Sequence, residues 1–142
     1  MGVDTDPALL AELDVEVRDG VRFNEVTGLL GKARFAPVFH RPLFRNLGFV
    51  TIRTFETFYA DTLSVLMLPK EFVEAFYGPA ALALVPGDDV AVYLRDAFDC
   101  PETYWDAVLQ TRSRLARYHS YAQRFQELGA LVADRALPGE AR

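Results

Sequence analysis

The sequence predicts an α+β domain: an antiparallel sheet built from hairpins, short helices on one face of it, and a long C-terminal helix. Three observations carry that prediction. Two runs rich in β-branched and aromatic residues, 49–58 and 62–68, flank Ala60-Asp61. Two short apolar runs, 80–85 and 90–94, flank Pro86-Gly87-Asp88-Asp89, and their near-continuous apolar content implies that both faces are covered. Beyond residue 103, apolar side chains recur in a 4,3 spacing over about four heptads.

Taken in order, the elements follow from local chemistry. Asp6-Pro7 reads as an N-cap followed by proline at the first helical position, opening a short helix with Leu9, Leu10 and Leu13 inward. Val15 and Val17 alternate with acids, Arg18-Asp19-Gly20 turns, and Val21 and Phe23 alternate again, which predicts a hairpin with Gly20 left-handed. Asn24 is the expected cap of a short helix through Leu30. Residues 34–48 read as irregular, broken by Pro37 and Pro42, with Phe35, Phe39 and Phe44 in need of burial. Pro69 starts a helix to Tyr77, with Phe72, Val73 and Phe76 on one side, and Gly78-Pro79 stops it.

Asp99-Cys100-Pro101-Glu102 predicts a capping box for the last helix, Asp99 as N-cap and Glu102 at the third position. Its seam is Tyr104, Val108, Thr111, Leu115, Tyr118, Ala122, Phe125, Gly129 and Val132. A straight helix of that extent approaches ~50 Å, longer than a domain of this size covers by itself. Part of the seam, with Val108, Leu115, Tyr118 and Phe125 as candidate dimer residues, is therefore expected on a second chain. Residues 1–136 form one domain in this reading, and 137–142 a loose tail.

Composition bounds the class. The chain has 142 residues, 51% of them hydrophobic, enough for a core without disulfides or metal. The lone Cys100 excludes an intramolecular disulfide and is compatible with a reducing compartment. Met1-Gly2-Val3-Asp4 is the opposite of a secretory start, and the longest apolar stretch, 80–85, is far short of a membrane span. The expected localisation is cytoplasmic.

The net charge of −5 is unevenly spread. Residues 26–55 hold five bases (Lys32, Arg34, Arg41, Arg45, Arg53) and no acid, between blocks that hold seventeen acids and four bases. Lys32, Arg34, Phe35, Phe39, His40, Arg41, Phe44, Arg45, Phe49 and Arg53 thus interleave cations and rings, the mixture that holds single-stranded nucleic acid. The alternative is that the rings are core and the arginines meet the acids of 56–106. A second candidate face, for an acidic partner, is Arg114, Arg117, Tyr121 and Arg124 at helical spacing.

Catalytic signals are missing. There is no Gly-rich phosphate loop, no G-x-S-x-G elbow, no H-E-x-x-H and no Cys-x-x-Cys, and two histidines, His40 and His119, exclude a His-rich metal site. Cys100 at a helix start has a chemical argument for reactivity, which Asp99 and Glu102 beside it oppose. The acid pairs Glu71/Glu74 and Asp88/Asp89 read as solvated. No cofactor, metal or catalytic residue is expected.

Two resemblances add to this. Thr62-Leu63-Ser64-Val65-Leu66-Met67-Leu68-Pro69-Lys70-Glu71-Phe72 followed by Leu84-Val85-Pro86-Gly87-Asp88-Asp89-Val90-Ala91-Val92 resembles the AbrB-type swapped hairpin, which implies dimeric DNA binding. The basic residue that contacts DNA before that family's strand is absent here. The order helix, strands, short helix, hairpin, long helix is similar to the type III secretion chaperone and YbjN-like fold, which implies a small acidic dimer that binds proteins. The function expected first is thus a non-catalytic homodimeric adaptor or chaperone-like protein. A nucleic-acid-binding module using 32–53 comes second, and a small-molecule enzyme without recognisable motif third.

Overall fold

The computed structural model describes residues 6–16, 20–47 and 49–134, the side chain of Arg45 excepted. The order is α1 (Pro7–Glu12), a 3-10 turn (Phe23–Glu25), α2 (Val26–Leu30), β1 (Phe35–Val38), α3 (Pro42–Asn46), α4 (Arg53–Tyr59), β2 (Leu63–Leu66), α5 (Lys70–Tyr77), a 3-10 segment (Pro79–Leu84), α6 (Val90–Asp99), α7 (Pro101–Tyr118) and α8 (Tyr121–Asp134). The described residues are mostly helical (65%), and their two strands pair in parallel. The antiparallel, hairpin-built sheet that the sequence predicts is overturned.

Each misassigned run has a physical reason. The run 49–58 looks like a strand by composition, but most of it lies in α4, where Thr54, Thr57 and Phe58 are buried at i, i+3 and i+4, which is a helix face. The strand that pairs with β2 is instead β1, inside the proline-broken segment, with Phe35 beside Leu63 and Val38 beside Leu66. Parallel strands need a crossover of a dozen residues or more, and 39–62 supply it with α3 and α4. In β1, Ala36 and Val38 are buried while Pro37 is exposed. The second expected hairpin is also helical. Alanine and leucine favour helix after Pro79, and Asp89 caps α6 by accepting from the Val92 amide at 3.0 Å. Val90, Leu94 and Ala97 then turn inward at helical spacing.

Near the N-terminus, Asp6 caps α1 as expected, accepting from the Ala8 amide at 2.9 Å. The expected inward stripe is not there: Leu9 and Leu13 are exposed and nothing in α1 is buried. The first expected hairpin is overturned in its described arm, where Phe23 enters a 3-10 turn and both Val21 and Phe23 are exposed. Its turn at Arg18 and Asp19, like the tail 137–142, lies outside the described residues.

Helix α5 matches its prediction. Val73 and Tyr77 are fully buried, and Gly78 ends it with φ +93°, a conformation that side chains resist. The Arg114 side chain lies where a Cβ on Gly78 would sit, and its Nη2 donates to the Ala75 carbonyl at 3.3 Å.

The last helix is two helices. Asp99 closes α6 and Cys100 is the N-cap of α7, without a side-chain capping bond, so the predicted Asp99–Glu102 capping box is not formed. Ser120 ends the run by accepting from the Gln123 amide at 3.3 Å, which caps α8. The two pieces are roughly 27 Å and 21 Å long instead of one rod.

The core gathers Val38, Phe58, Leu66, Leu68, Val73, Tyr77, Ala81, Leu84, Ala107, Val108 and Leu115 around α7. Full burial of each of its larger side chains contributes about 1.5–3 kcal/mol. Arg112 of α7 fastens this core to the end of α4: its Nε donates to the Phe58 carbonyl and its Nη2 to the Ala60 carbonyl at 2.9 Å and Asp61 Oδ1 at 3.1 Å. The same guanidinium lies 5.0 Å from the Trp105 ring centroid.

Candidate functional site

The placement of α8 begins with the rings of α5. Phe72 and Phe76, one helical turn apart, stack at 5.7 Å with a 9° interplanar angle. His40 meets the edge of Phe72 at 5.2 Å, and His119 lies over Phe76 at 4.3 Å. His119 is thereby pinned at the point where α7 stops. Its Nδ1 accepts from Arg124 Nη2 at 2.7 Å; a guanidinium only donates, so the ring is neutral with its proton on Nε2. Burial first, and the Arg124 charge second, hold the His119 pKa below its ordinary value, and burial alone lowers that of His40. Arg124 also pairs with Glu127 at 2.6 Å. One histidine and one arginine thus fix where α8 leaves the body.

What α8 presents is apolar. Tyr121, Phe125, Leu128 and Val132 repeat at 4,3,4 spacing with Leu131 alongside, and no residue of the helix is buried. Tyr121 is 85% exposed, Phe125 70% and Val132 64%. Polar residues, among them Gln123, Glu127 and Asp134, fall on the far side of the helix.

At the opposite end of α7 lies a cleft of about 490 Å³, lined by Arg34, Phe35, Asp61, Leu63, Ala97, Phe98, Pro101, Glu102, Tyr104 and Trp105. The starts of both strands form one wall and the α6–α7 corner forms the other. The Tyr104 hydroxyl donates to Asp96 at 2.5 Å, and that bond is the main reason its pKa is pushed up to about 12.

Comparison with protein-family models, curated proteins and solved structures finds no match.

The structure scatters the cations of 32–53. Arg34 lies over the Phe98 ring, 4.8 Å from its centroid, on the cleft rim, and Arg53 pairs with Glu56 at 3.0 Å. Arg41 is exposed, and the Arg45 side chain lies outside the described residues. The rings divide as well: Phe39 and Phe49 are exposed, whereas Phe35, His40 and Phe44 are half-buried.

The expected face Arg114, Arg117, Tyr121 and Arg124 is mostly spent inside the chain. Arg114 braces α5, Arg117 and Arg114 each lie 5.2 Å from the Tyr118 ring, and Arg124 holds His119. Of the expected dimer seam, Val108 and Leu115 are in the chain's own core at 0% and 7% exposure, so neither is free to meet a second chain. Tyr118 and Phe125 remain exposed. The exposed stripe runs through Tyr121 and Leu128 where the continuous heptad would place Ala122 and Gly129.

The residues that sequence reading passed over are Arg112, Ser120 and the cleft pair Phe98 and Trp105. Ser120 carried a signal, since serine three residues before glutamine opens helices. Arg112 and the cleft carried none, because their partners lie far away along the chain.

Proposed function

We propose that this chain is a non-catalytic interaction protein that associates with a second copy of itself through α8. The α8 face supports this reading: five large apolar side chains lie in one stripe of a capped helix, and none is buried by the rest of the chain. Two-fold pairing would set each stripe against its copy, the arrangement commonest among soluble oligomers. With Tyr118 added, the stripe exposes on the order of 600–700 Å² of side chain, near the ~800 Å² per partner of a standard interface. Any adaptor or chaperone-like role belongs to the same proposal, as work done by the pair.

The test is light scattering at micromolar concentration, where twice the 15.9 kDa chain mass is expected. Phe125→Asp should give the single-chain mass while keeping the helical circular dichroism, because Phe125 has no role in the core. Leu115→Asp should unfold the protein instead. A wild type that stays monomeric refutes the proposal.

The exposure of Phe39, Phe49 and Arg41 supports a second reading, single-stranded nucleic acid. With the cations scattered and the chain acidic, little binding is expected even at ~50 mM salt. Tight, salt-sensitive oligonucleotide binding that Arg41→Ala weakens would move this reading to first place.

A further inference from the structure

The cleft at the α6–α7 corner is a chamber with apolar walls and one uncommitted cation. Its volume of about 490 Å³ falls within the ~300–1,000 Å³ of small-molecule sites. Phe35, Leu63, Ala97, Phe98 and Trp105 supply the walls. Most of the polar groups that line it are already engaged. Asp61 accepts from Arg112 at 3.1 Å, and the Tyr104 hydroxyl is given to Asp96. Glu102 stands exposed in the first turn of α7, where water and the positive helix end carry its charge.

Arg34 differs from these. Among the described residues it has no carboxylate within ion-pair distance. Its guanidinium lies over the Phe98 ring, 4.8 Å from the centroid, a contact that occupies the cation without giving its N–H fork an oxygen acceptor. That fork matches a carboxylate, which accepts two parallel hydrogen bonds. We propose that this cleft binds a small apolar carboxylic acid, its hydrocarbon body between Phe35, Phe98 and Trp105 and its carboxylate on Arg34. No covalent step is involved. The cleft is separate from the α8 face: Trp105 and Tyr118 are thirteen residues apart on α7, roughly 20 Å. The site does not depend on self-association.

The chain has a single tryptophan, Trp105, and it lines the cleft, so its emission reports occupancy. Decanoate and decanol, titrated below their aggregation limits, are the charged and neutral probes, and equilibrium dialysis of decanoate gives an independent reading. The expected result is a saturable change with decanoate and binding at least about tenfold weaker for decanol. Arg34→Met, at an exposed position, should bring decanoate down to the level of decanol while leaving decanol within about twofold. Ala97→Leu should narrow the chamber and weaken both probes. If that variant does not fold, Arg34→Met alone decides. Phe125→Ser, on α8, should change neither curve.

Three outcomes overturn the proposal. They are no decanoate binding by either method, equal affinity for acid and alcohol in the wild type, or decanoate binding unchanged by Arg34→Met, above all if Phe125→Ser abolishes it. The last would place the amphiphile on α8.

Discussion

Replacing Arg112 by methionine keeps the aliphatic stem and deletes the guanidinium that joins α7 to the end of α4. The guanidinium serves three acceptors: the carbonyls of Phe58 and Ala60 and the carboxylate of Asp61. Hydrogen bonds from a charged donor are worth about 1.5–3 kcal/mol each, but this side chain is 27% exposed, and water can replace part of what is lost. The Asp61 contact adds little, since that carboxylate is 82% exposed and surface pairs contribute about 0–1 kcal/mol. Contact with Trp105 adds about 0.5–1 kcal/mol. Together these give a loss of about 2–4 kcal/mol, to be read from urea denaturation monitored by circular dichroism. Arg112→Lys should recover less than half, because one ammonium cannot span acceptors that the planar fork reaches together. Asp61→Asn should lose under ~1 kcal/mol. A loss below ~1 kcal/mol for Arg112→Met, or full recovery by lysine, would refute the view that this fork fastens the core.

Three further measurements probe other features. Gly78→Ala should destabilise by about 2–4 kcal/mol in the same denaturation assay, because it combines a left-handed backbone with a Cβ 2.5 Å from Arg114 Cδ. Cys100→Ser should be neutral or stabilising by up to ~1 kcal/mol, since it places an oxygen acceptor at an N-cap that lacks a side-chain bond. His119 and His40 both have folded pKa values below the ordinary 6.5. The unfolded state therefore binds more protons in that window, and the stability present above pH ~6.5 should fall as pH drops through it toward the folded values. His119→Gln keeps an acceptor for Arg124 but cannot be protonated, so it should flatten part of that slope.

Legibility in the sequence followed the range of the forces involved. Helices α1 and α5 could be read at their ends because caps and stops are local: Asp6-Pro7 at one, Gly78-Pro79 at the other. The runs 49–58 and 90–94 read as strands because threonine, valine and phenylalanine favour strands; burial of Thr54, Thr57 and Phe58 at helical spacing decides the first for helix, and the Asp89 cap decides the second. The seam of the last helix was legible as amphipathic. Its division between an internal half, with Val108 and Leu115, and an open half, with Phe125, was not, because it turns on Ser120 and on His119 lying over Phe76. The cleft was invisible for the same reason: Arg34 and Phe98 meet across sixty-four positions of chain.

Pro37 has a consequence for the chain's behaviour at high concentration. The amide of Leu63 reaches the Arg34 carbonyl and that of Met67 the Val38 carbonyl, so the even-numbered residues of β1 face β2 and Pro37 faces the other way. No strand covers that outer edge among the described residues. An incoming strand would seek a ladder there and find, in the middle of a four-residue strand, a ring nitrogen with no hydrogen to give. A single missing donor thus makes this edge of β1 a poor template for the strand-by-strand growth that begins fibrils.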